Sequence, residues 1–424
     1  MNYRILMCID HYPPILGGSQ LQTQLLSRQL VNRGHAVTVV TTQQSGLAHE
    51  EIDLGVNVRR IYGLSTRVPW FFKDNSQRRP PPFPDPGMVS QLRQLIETIK
   101  PDVVQACGWI ANSVAAALVG KRIPLIITIR NYFHSCATGI LMHNGQICDG
   151  PAIGKCLECA TQFYGRPKAL AAVAGVYGSR NLLIHKTTVF HCLSNYIEKI
   201  LLRDLLSYEE MNNQYNDSDA RCVLIPDLMA EQDDDESDST YLNRLPADPF
   251  ILFVGALSHH KGINVLLEAY ERLVNPPPLV LIGTVEHNTP ISFPPGIIVI
   301  KDVPHGTVME AWGRCLFGVV PSLWPDSFPN VVLEAMSKAK AIIGTDAGGI
   351  PDMIMDGETG LLVPISDVKA LTYAMQKLID NRAVCESFGQ SGRERFESKF
   401  TAETIIPRFE NLYQELIDKY KNLT

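Results

Sequence analysis

The sequence predicts an α/β protein built from two parallel-sheet domains, on three observations. Short apolar runs of the kind that form buried parallel strands alternate with helical stretches, first from Tyr3 to Asp10 (YRILMCID) and again from Pro249 to Gly255 (PFILFVG). Between the two series lies Glu231 to Asp238 (EQDDDESD), an acid-rich run without apolar periodicity that reads as a solvated linker. The length of 424 residues suits two to three domains, each able to bury a full core.

Bulk composition narrows the function classes. Apolar residues make up 45% and charged residues 19%, ordinary for a globular enzyme. The formal net charge of −6 gives no reason to expect nucleic acid as a partner. No apolar run approaches the roughly 18 residues that span a bilayer, and Met1 to Cys8 reads as a strand rather than a leader. A cytoplasmic protein is expected. Its ten cysteines are scattered apart from one cluster, which does not suggest a disulfide framework.

The first strand runs into His11-Tyr12-Pro13-Pro14-Ile15-Leu16-Gly17-Gly18-Ser19, followed by a helix from about Gln20 to Arg33 and a strand from Ala36 to Thr42. The Gly17-Gly18 turn of this βαβ unit can bring backbone amides close to a phosphate, or serve only as a tight turn. From Arg67 to Pro86 regular patterning stops and proline, aromatic and basic residues interleave. That segment reads either as a solvated loop or as a flap over a binding site. In the flap, Trp70, Phe71, Phe72 and Lys73 would meet sugars or a membrane surface, and Arg78 and Arg79 would meet phosphates. A helix from Met88 to Ile99, a strand at Val103-Val104, a helix from Ala111 to Val119 and a strand from Pro124 to Ile129 continue the alternation.

Cys136, Cys148, Cys156 and Cys159 follow with the spacing C-x11-C-x7-C-x2-C. Two readings are open: four reduced thiols, or a tetrahedral structural zinc site whose four protein ligands leave no position for catalysis, with His134 and His143 as substitute ligands. Further on, Leu170 to His185 and Ile197 to Leu206 read as helices. Val189 to Leu193 and Arg221 to Asp227 read as strands that complete the first domain.

In the second domain the opening strand leads to Ala256-Leu257-Ser258-His259-His260-Lys261-Gly262 and a helix from Ile263 to Leu273. The strand from Leu316 to Pro321 delivers the most informative stretch, PSLWPDSFPNVVLEAMSKAKAIIGTDAGGIPDMIMDGETGLLVP, from Pro321 to Pro364. Pro329 suits the turn just before a helix, because its missing N–H costs little there. Ser327, Phe328, Pro329, Asn330 and Val331 would then form a positive helix end whose main-chain donors can hold a diphosphate. Glu334 lies one turn further, where a carboxylate can accept both hydroxyls of a ribose. Asp326, eight positions earlier on the loop, would meet the sugar beyond the phosphates.

This stretch resembles the donor-site signature of the retaining glycosyltransferases of family four, also called glycosyl transferases group 1. The shared pattern is two acidic residues separated by seven, a helix, a strand, a Gly-Gly turn and then DGxTGLLV. Here it reads Asp326 and Glu334, Gly348-Gly349-Ile350-Pro351, and Asp356 to Val363. The resemblance implies an α/β fold of the GT-B type, two Rossmann-like βαβ domains facing across an interdomain cleft. It implies an acceptor-binding domain over 1–230 with a Cys-containing insert at 134–160, a linker at 231–246, a nucleotide-sugar domain over 247–395, and a helix at 396–424 returning to the first domain. It further implies that Lys261 clamps the diphosphate and Gly17 and Gly18 approach it. Asp326 would orient the donor sugar, Glu334 would hold the ribose, and main chain near Lys301 to Val303 would frame the base.

Three kinds of departure from the family pattern stand out. The first acid is usually Glu, so Asp326 is a shortened variant. Ala256 occupies the place of a clamp Arg, and the His residues common at two strand ends are absent, with Arg130 standing at one of them. Arg130 stays charged and cannot act as a base, but it can bind a phosphate, an acidic sugar or a carboxylate. The expected activity is transfer of a sugar from a UDP- or GDP-sugar to a hydroxyl acceptor with retention, as in polysaccharide, glycolipid or glycoconjugate assembly. No cofactor is required, and the catalytic set is Asp326, Lys261 and Arg130. The expected location is cytoplasmic, with peripheral contact at the inner membrane face as an option raised by the Trp70 segment. The alternatives are a catalytically silent protein that binds a nucleotide sugar or a partner enzyme, and a sugar-nucleotide epimerase.

Overall fold

The structure, a computed structural model, describes residues 2–15, 17–67, 79–206, 221–230, 238–285, 289 and 293–422. Trp70, Phe71, Phe72, Lys73 and Arg78 of the expected flap lie outside the described residues, as do 231–237 of the expected linker. The chain divides into two compact units, Met1–Leu228 with Ile405–Thr424, and Met229–Thr404. The expected boundaries were 230/231 and 395/396.

The first unit is built on an eight-stranded sheet. In chain order its strands are β1 (Arg4–Ile9), β2 (Ala36–Thr42), β3 (Glu50–Asp53), β4 (Val56–Ile61), β5 (Val103–Cys107), β6 (Leu125–Ile129), β9 (Val189–Cys192) and β10 (Cys222–Leu224). The spatial order is β10-β9-β6-β5-β1-β2-β4-β3. All neighbours are parallel except β3, which runs antiparallel on β4. The interior strands β5, β6 and β9 are buried along their whole length, as expected when helices cover both faces of a parallel sheet. The pair β3 and β4 is a departure from the sequence reading, which left 50–61 unassigned. β3 (EEID) is an edge strand with acidic side chains, which blunts its free edge but hides the apolar pattern. A two-stranded hairpin, β7 (Met142–His143) and β8 (Gln146–Ile147), precedes the helix Ile153–Tyr164 in the cysteine-bearing insert.

The second unit holds a six-stranded, wholly parallel sheet of order β13-β12-β11-β14-β15-β16. These strands are β11 (Ile251–Val254), β12 (Leu279–Ile282), β13 (Ile297–Ile300), β14 (Phe317–Val320), β15 (Ala341–Thr345) and β16 (Gly360–Val363). One core cluster joins Ile251, Phe253, Leu266, Leu281, Phe317, Ile343, Met375 and their neighbours beneath the helices Ile263–Glu271 and Val368–Asp380. The helix Arg382–Lys399, unassigned in the sequence reading, packs in the same unit. Its Gly389 is required because a Cβ there would lie 2.1 Å from Ala339 O.

Both units are therefore Rossmann-like α/β structures. In each, strand order reverses once, at β1/β5 in the first and β11/β14 in the second. Loops leaving the carboxyl ends of strands at such a switch point face a common crevice, the usual ligand position in open parallel sheets. The C-terminal helix Ala402–Lys421 supplies Tyr413, whose hydroxyl donates to Gln105 Oε1 on β5 at 2.5 Å within the first unit.

Candidate functional site

In the second unit the switch point gathers the residues singled out from the sequence. The chain leaves β11 into a short turn, His259–Lys261, that ends at Gly262 with φ of 78°. A side chain at Gly262 could not be accommodated, because its Cβ would lie 1.8 Å from Pro321 O at the end of β14. The two loops therefore touch through backbone. His260 O accepts N–H groups from Leu323 at 2.9 Å and Trp324 at 3.3 Å. This stitching sets Lys261 Nζ 2.6 Å from Asp326 Oδ2 and 5.2 Å over the Trp324 ring. Trp324 Nε1 is buried and has no hydrogen-bond partner among the described residues.

The Gly348-Gly349 turn after β15 braces the same loop. Gly349 N donates to Asp326 O at 2.7 Å, and a Cβ on Gly348, at φ of 59°, would stand 2.1 Å from that oxygen. Ser327, Phe328 and Pro329 are buried, and Pro329 occupies the N-cap position of the helix Asn330–Ser337. The helix dipole favours an anion at that end. Glu334 follows on the same helix. Its Oε2 accepts the indole N–H of Trp312 at 3.0 Å, and its Oε1 lies 3.4 Å from His305 Nε2. The structure thus brings together Lys261, Asp326, the 327–331 helix end and Glu334 in one unit.

Arg130 has a different environment. In the first unit it forms an ion pair with Asp227, both side chains being buried, at 6% and 5% exposure. Burial pushes the Asp227 carboxyl up, against the pull of the guanidinium. The sequence reading had Arg130 facing a ligand anion; the structure gives it a protein carboxylate, from a residue 97 positions away. Gly17 and Gly18 open the helix Gly18–Asn32 after β1, as expected of a βαβ turn.

The first unit's switch point carries groups that the sequence reading passed over. Asp10 closes β1 and accepts N–H groups from Ile110 at 2.8 Å and Trp109 at 3.1 Å. Gly108 is glycine because a Cβ there would lie 2.5 Å from the Asp10 carboxylate. Burial raises the Asp10 carboxyl to about 6, although the Arg79 charge and the two N–H groups oppose it. His11, lowered to about 4 by burial and then by Arg79, sets Nδ1 3.3 Å from Gln44 Nε2. Its buried Nε2 has no partner among the described residues. The Arg79 guanidinium lies 4.6 Å over the Phe133 ring. The signal for this cluster was the Asp-His pair at the end of an apolar strand, where ligands of such sheets bind.

The four insert cysteines are half-buried reduced thiols. Cys159 Sγ contacts Met142 O at 3.5 Å, Cys148 Sγ contacts Gly150 O at 3.4 Å, and Cys136 Sγ lies 3.3 Å from Thr138 Oγ1. Burial, and after it the neighbouring thiols, raises Cys159. Among the described residues no three Cys, His, Asp or Glu side chains gather closely enough to hold an ion. Cys136, Cys148 and Cys156 nonetheless all lie within electrostatic reach of Cys159.

Comparison with known proteins follows the same division into two units. Residues 16–206 match the family model described as Glycosyltransferase Family 4, and residues 235–395 match Glycosyl transferases group 1. The capsular polysaccharide biosynthesis glycosyltransferase CapM of Staphylococcus aureus is 28% identical over 187 residues, covering 41% of this chain and 48% of CapM. The O-antigen chain mannosyltransferase C of Escherichia coli is 29% identical over 209 residues, covering 47% of this chain and 56% of the relative. The matches thus span about half the length of these curated relatives. Among solved structures, sucrose-phosphate synthase from Thermosynechococcus elongatus superposes with a TM-score of 0.69 at 17% identity, over 98% of this chain and 99% of that one. Anabaena HepE, solved in complex with UDP, gives 0.63 at 14% identity, over 98% and 100%. These are GT-B structures, and the likeness extends to the fold.

Proposed function

This chain belongs to the group 1, family 4 glycosyltransferases, and from that premise we propose that it transfers a sugar from a nucleoside-diphosphate sugar to a hydroxyl acceptor. UDP- and GDP-sugars are the proposed donors, retention is the proposed stereochemical course, and assembly of a polysaccharide or glycoconjugate is the proposed setting. The observation that carries this reading is the meeting of Lys261 and Asp326 at the β11/β14 switch point, beside the 327–331 helix end and one turn from Glu334.

The chemistry follows from charge. Breaking the bond between sugar and diphosphate puts negative charge on the departing oxygen. Donors fixed in advance at that place lower the barrier without reorganising. The helix end and Lys261 are such donors. Lys261, paired with Asp326, would direct its charge to the diphosphate. Asp326 would then orient sugar hydroxyls and balance positive charge at the anomeric carbon. Glu334 would hold the ribose. In the first unit, His11 and Arg79 beside Asp10 offer a hydroxyl or phosphate of the acceptor a donor and a cation, with no acceptor named by this chemistry.

Two observations favour a second reading, a protein that binds nucleotide sugar without transfer. Ala256 supplies no second cation, and Arg130 is committed to Asp227. The test is incubation of the full chain with radiolabelled UDP-, GDP- and ADP-sugars without acceptor. Slow release of free sugar supports a transferase, an epimerised nucleotide sugar supports an epimerase, and binding without turnover supports the silent form. Among the described residues no helix is long and apolar enough to cross a membrane. Peripheral membrane contact is proposed only through an acceptor that is itself lipid-linked.

A further inference from the structure

Glu334 is held from two sides that differ in burial. Trp312, on the helix His305–Arg314, is fully buried, and Gly318 on β14 has no room for a side chain because its Cβ would lie 2.4 Å from the Trp312 ring. The indole therefore has one place to be, and its N–H reaches Glu334 Oε2 at 3.0 Å. His305 stands seven residues, two helical turns, before Trp312, which puts both on one face of that helix. Its ring is 47% exposed and lies against the other carboxylate oxygen, Oε1, at 3.4 Å. The open side of the carboxylate is thus the His305 side.

We propose that Trp312 is the positioning residue that sets Glu334 to recognise the 2′,3′-cis-diol of a ribonucleoside diphosphate. This rests on the reading of Glu334 as the ribose ligand and extends it. An ionised carboxylate has about four lone-pair positions, and one indole N–H uses one of them. Of the others, one meets the His305 ring at 3.4 Å, and those that are left can accept from two adjacent hydroxyls. A carboxylate free to rotate would offer them in no fixed direction, so the anchored indole converts an incidental Glu into a diol reader. The chemical class selected is a ribonucleotide over its deoxy counterpart.

The test compares affinities rather than activity. Calorimetry first finds which of UDP, GDP and ADP the full chain binds, and then measures the 2′-deoxy form of that nucleotide. In the parent chain the ribonucleotide is expected to bind roughly tenfold or more tightly, the effect of a hydrogen bond to a charged group. Trp312→Phe keeps a ring in the site but removes the N–H, and should bring the ratio to within about twofold of unity, with diphosphate-driven binding of both forms retained. A merely structural role would weaken both forms together and leave the ratio unchanged, which would overturn the proposal. His305→Ala, at an exposed side chain, provides a variant that does not disturb the core. Its ratio should stay near the parent value, and collapse to unity would show that the imidazole orients the carboxylate, against the proposal. Glu334→Ala separates the two levels. If it leaves the ratio intact, the ribose reading itself fails; if it removes the ratio while Trp312→Phe does not, only the positioning role fails.

Discussion

Lys261 Nζ lies 2.6 Å from Asp326 Oδ2, joining the loop after β11 to the loop after β14 at the point where the six-stranded sheet reverses its order. The two residues are expected to serve different parts of one donor. Lys261→Ala should lower the transfer rate about 10²–10³-fold, the usual cost of one preorganised donor to a developing anion. Asp326→Asn should lower transfer as well but leave the affinity for a sugar-free nucleoside diphosphate near the parent value. Rate measurements with the active donor and calorimetry with the bare nucleotide check the pair. Equal loss of nucleotide affinity in both variants would contradict the division of roles.

Gly348 is a backbone requirement of the same site. Its φ of 59° suits glycine, and a Cβ would stand 2.1 Å from Asp326 O. Gly348→Ala must displace the Asp326 loop or break the bond from Gly349 N. A loss of about 1–3 kcal/mol is expected from strain of this kind, together with weaker binding of the nucleotide sugar. Thermal unfolding and a donor titration read the two effects, and an unperturbed variant would show that the turn does not support the loop.

Arg130 and Asp227 form a buried pair, so their variants should behave as structural changes. Arg130→Ala leaves a buried carboxylate unpaired, a loss of about 3–5 kcal/mol in such cases. The double change Arg130→Met with Asp227→Leu should recover most of it, because replacing both charges by apolar groups is often near neutral. Thermal or urea unfolding of the three chains makes the comparison. If Arg130→Ala unfolds like the parent but loses transfer, the guanidinium serves a ligand instead.

Acid should destabilise the first unit through its buried histidines. Burial lowers His11 to about 4, His134 to about 4 and His191 to about 3, each from 6.5 in an unfolded chain. A lowered imidazole means that the unfolded chain binds protons first, so stability is full above about 6.5 and falls as pH drops toward 4. Asp10 works in the other sense. Raised from 3.8 to about 6, it contributes stability at low pH that is lost as pH rises through 6. Asp227, also raised by burial, acts in the same sense as Asp10; three histidines outweigh these two carboxyls, and the melting temperature should fall between pH 6.5 and 4. His134→Phe should flatten the slope, and a pH-independent melting temperature in this range would contradict the burial of neutral rings.

Much of this fold could be read from local pattern, because the apolar runs at Tyr3, Ala36, Pro124, Pro249 and Leu316 are interior parallel strands that are buried on both faces. The loops around Lys261 and Asp326 were legible for a related reason: Gly262, Gly348 and Pro329 meet backbone constraints that leave a mark in sequence. Other features left weaker marks. Edge strand β3 hides its pattern behind acidic residues, and the β7–β8 hairpin has two-residue strands. The partners of Arg130 and Glu334 come from distant segments, Asp227 and Trp312, and tertiary pairing of this kind has no local signal. The cysteine spacing marks a real grouping in the insert, where Cys136, Cys148 and Cys156 all lie within electrostatic reach of Cys159.

The most direct measurement is a calorimetric titration of the full chain and of Glu334→Ala with UDP and GDP. The parent chain is expected to bind at least one of them, and Glu334→Ala to weaken that binding roughly tenfold or more while the chain stays folded. Undiminished affinity in Glu334→Ala would mean that the nucleotide is held elsewhere, and that the loops around Lys261 and Asp326 do not form the donor site.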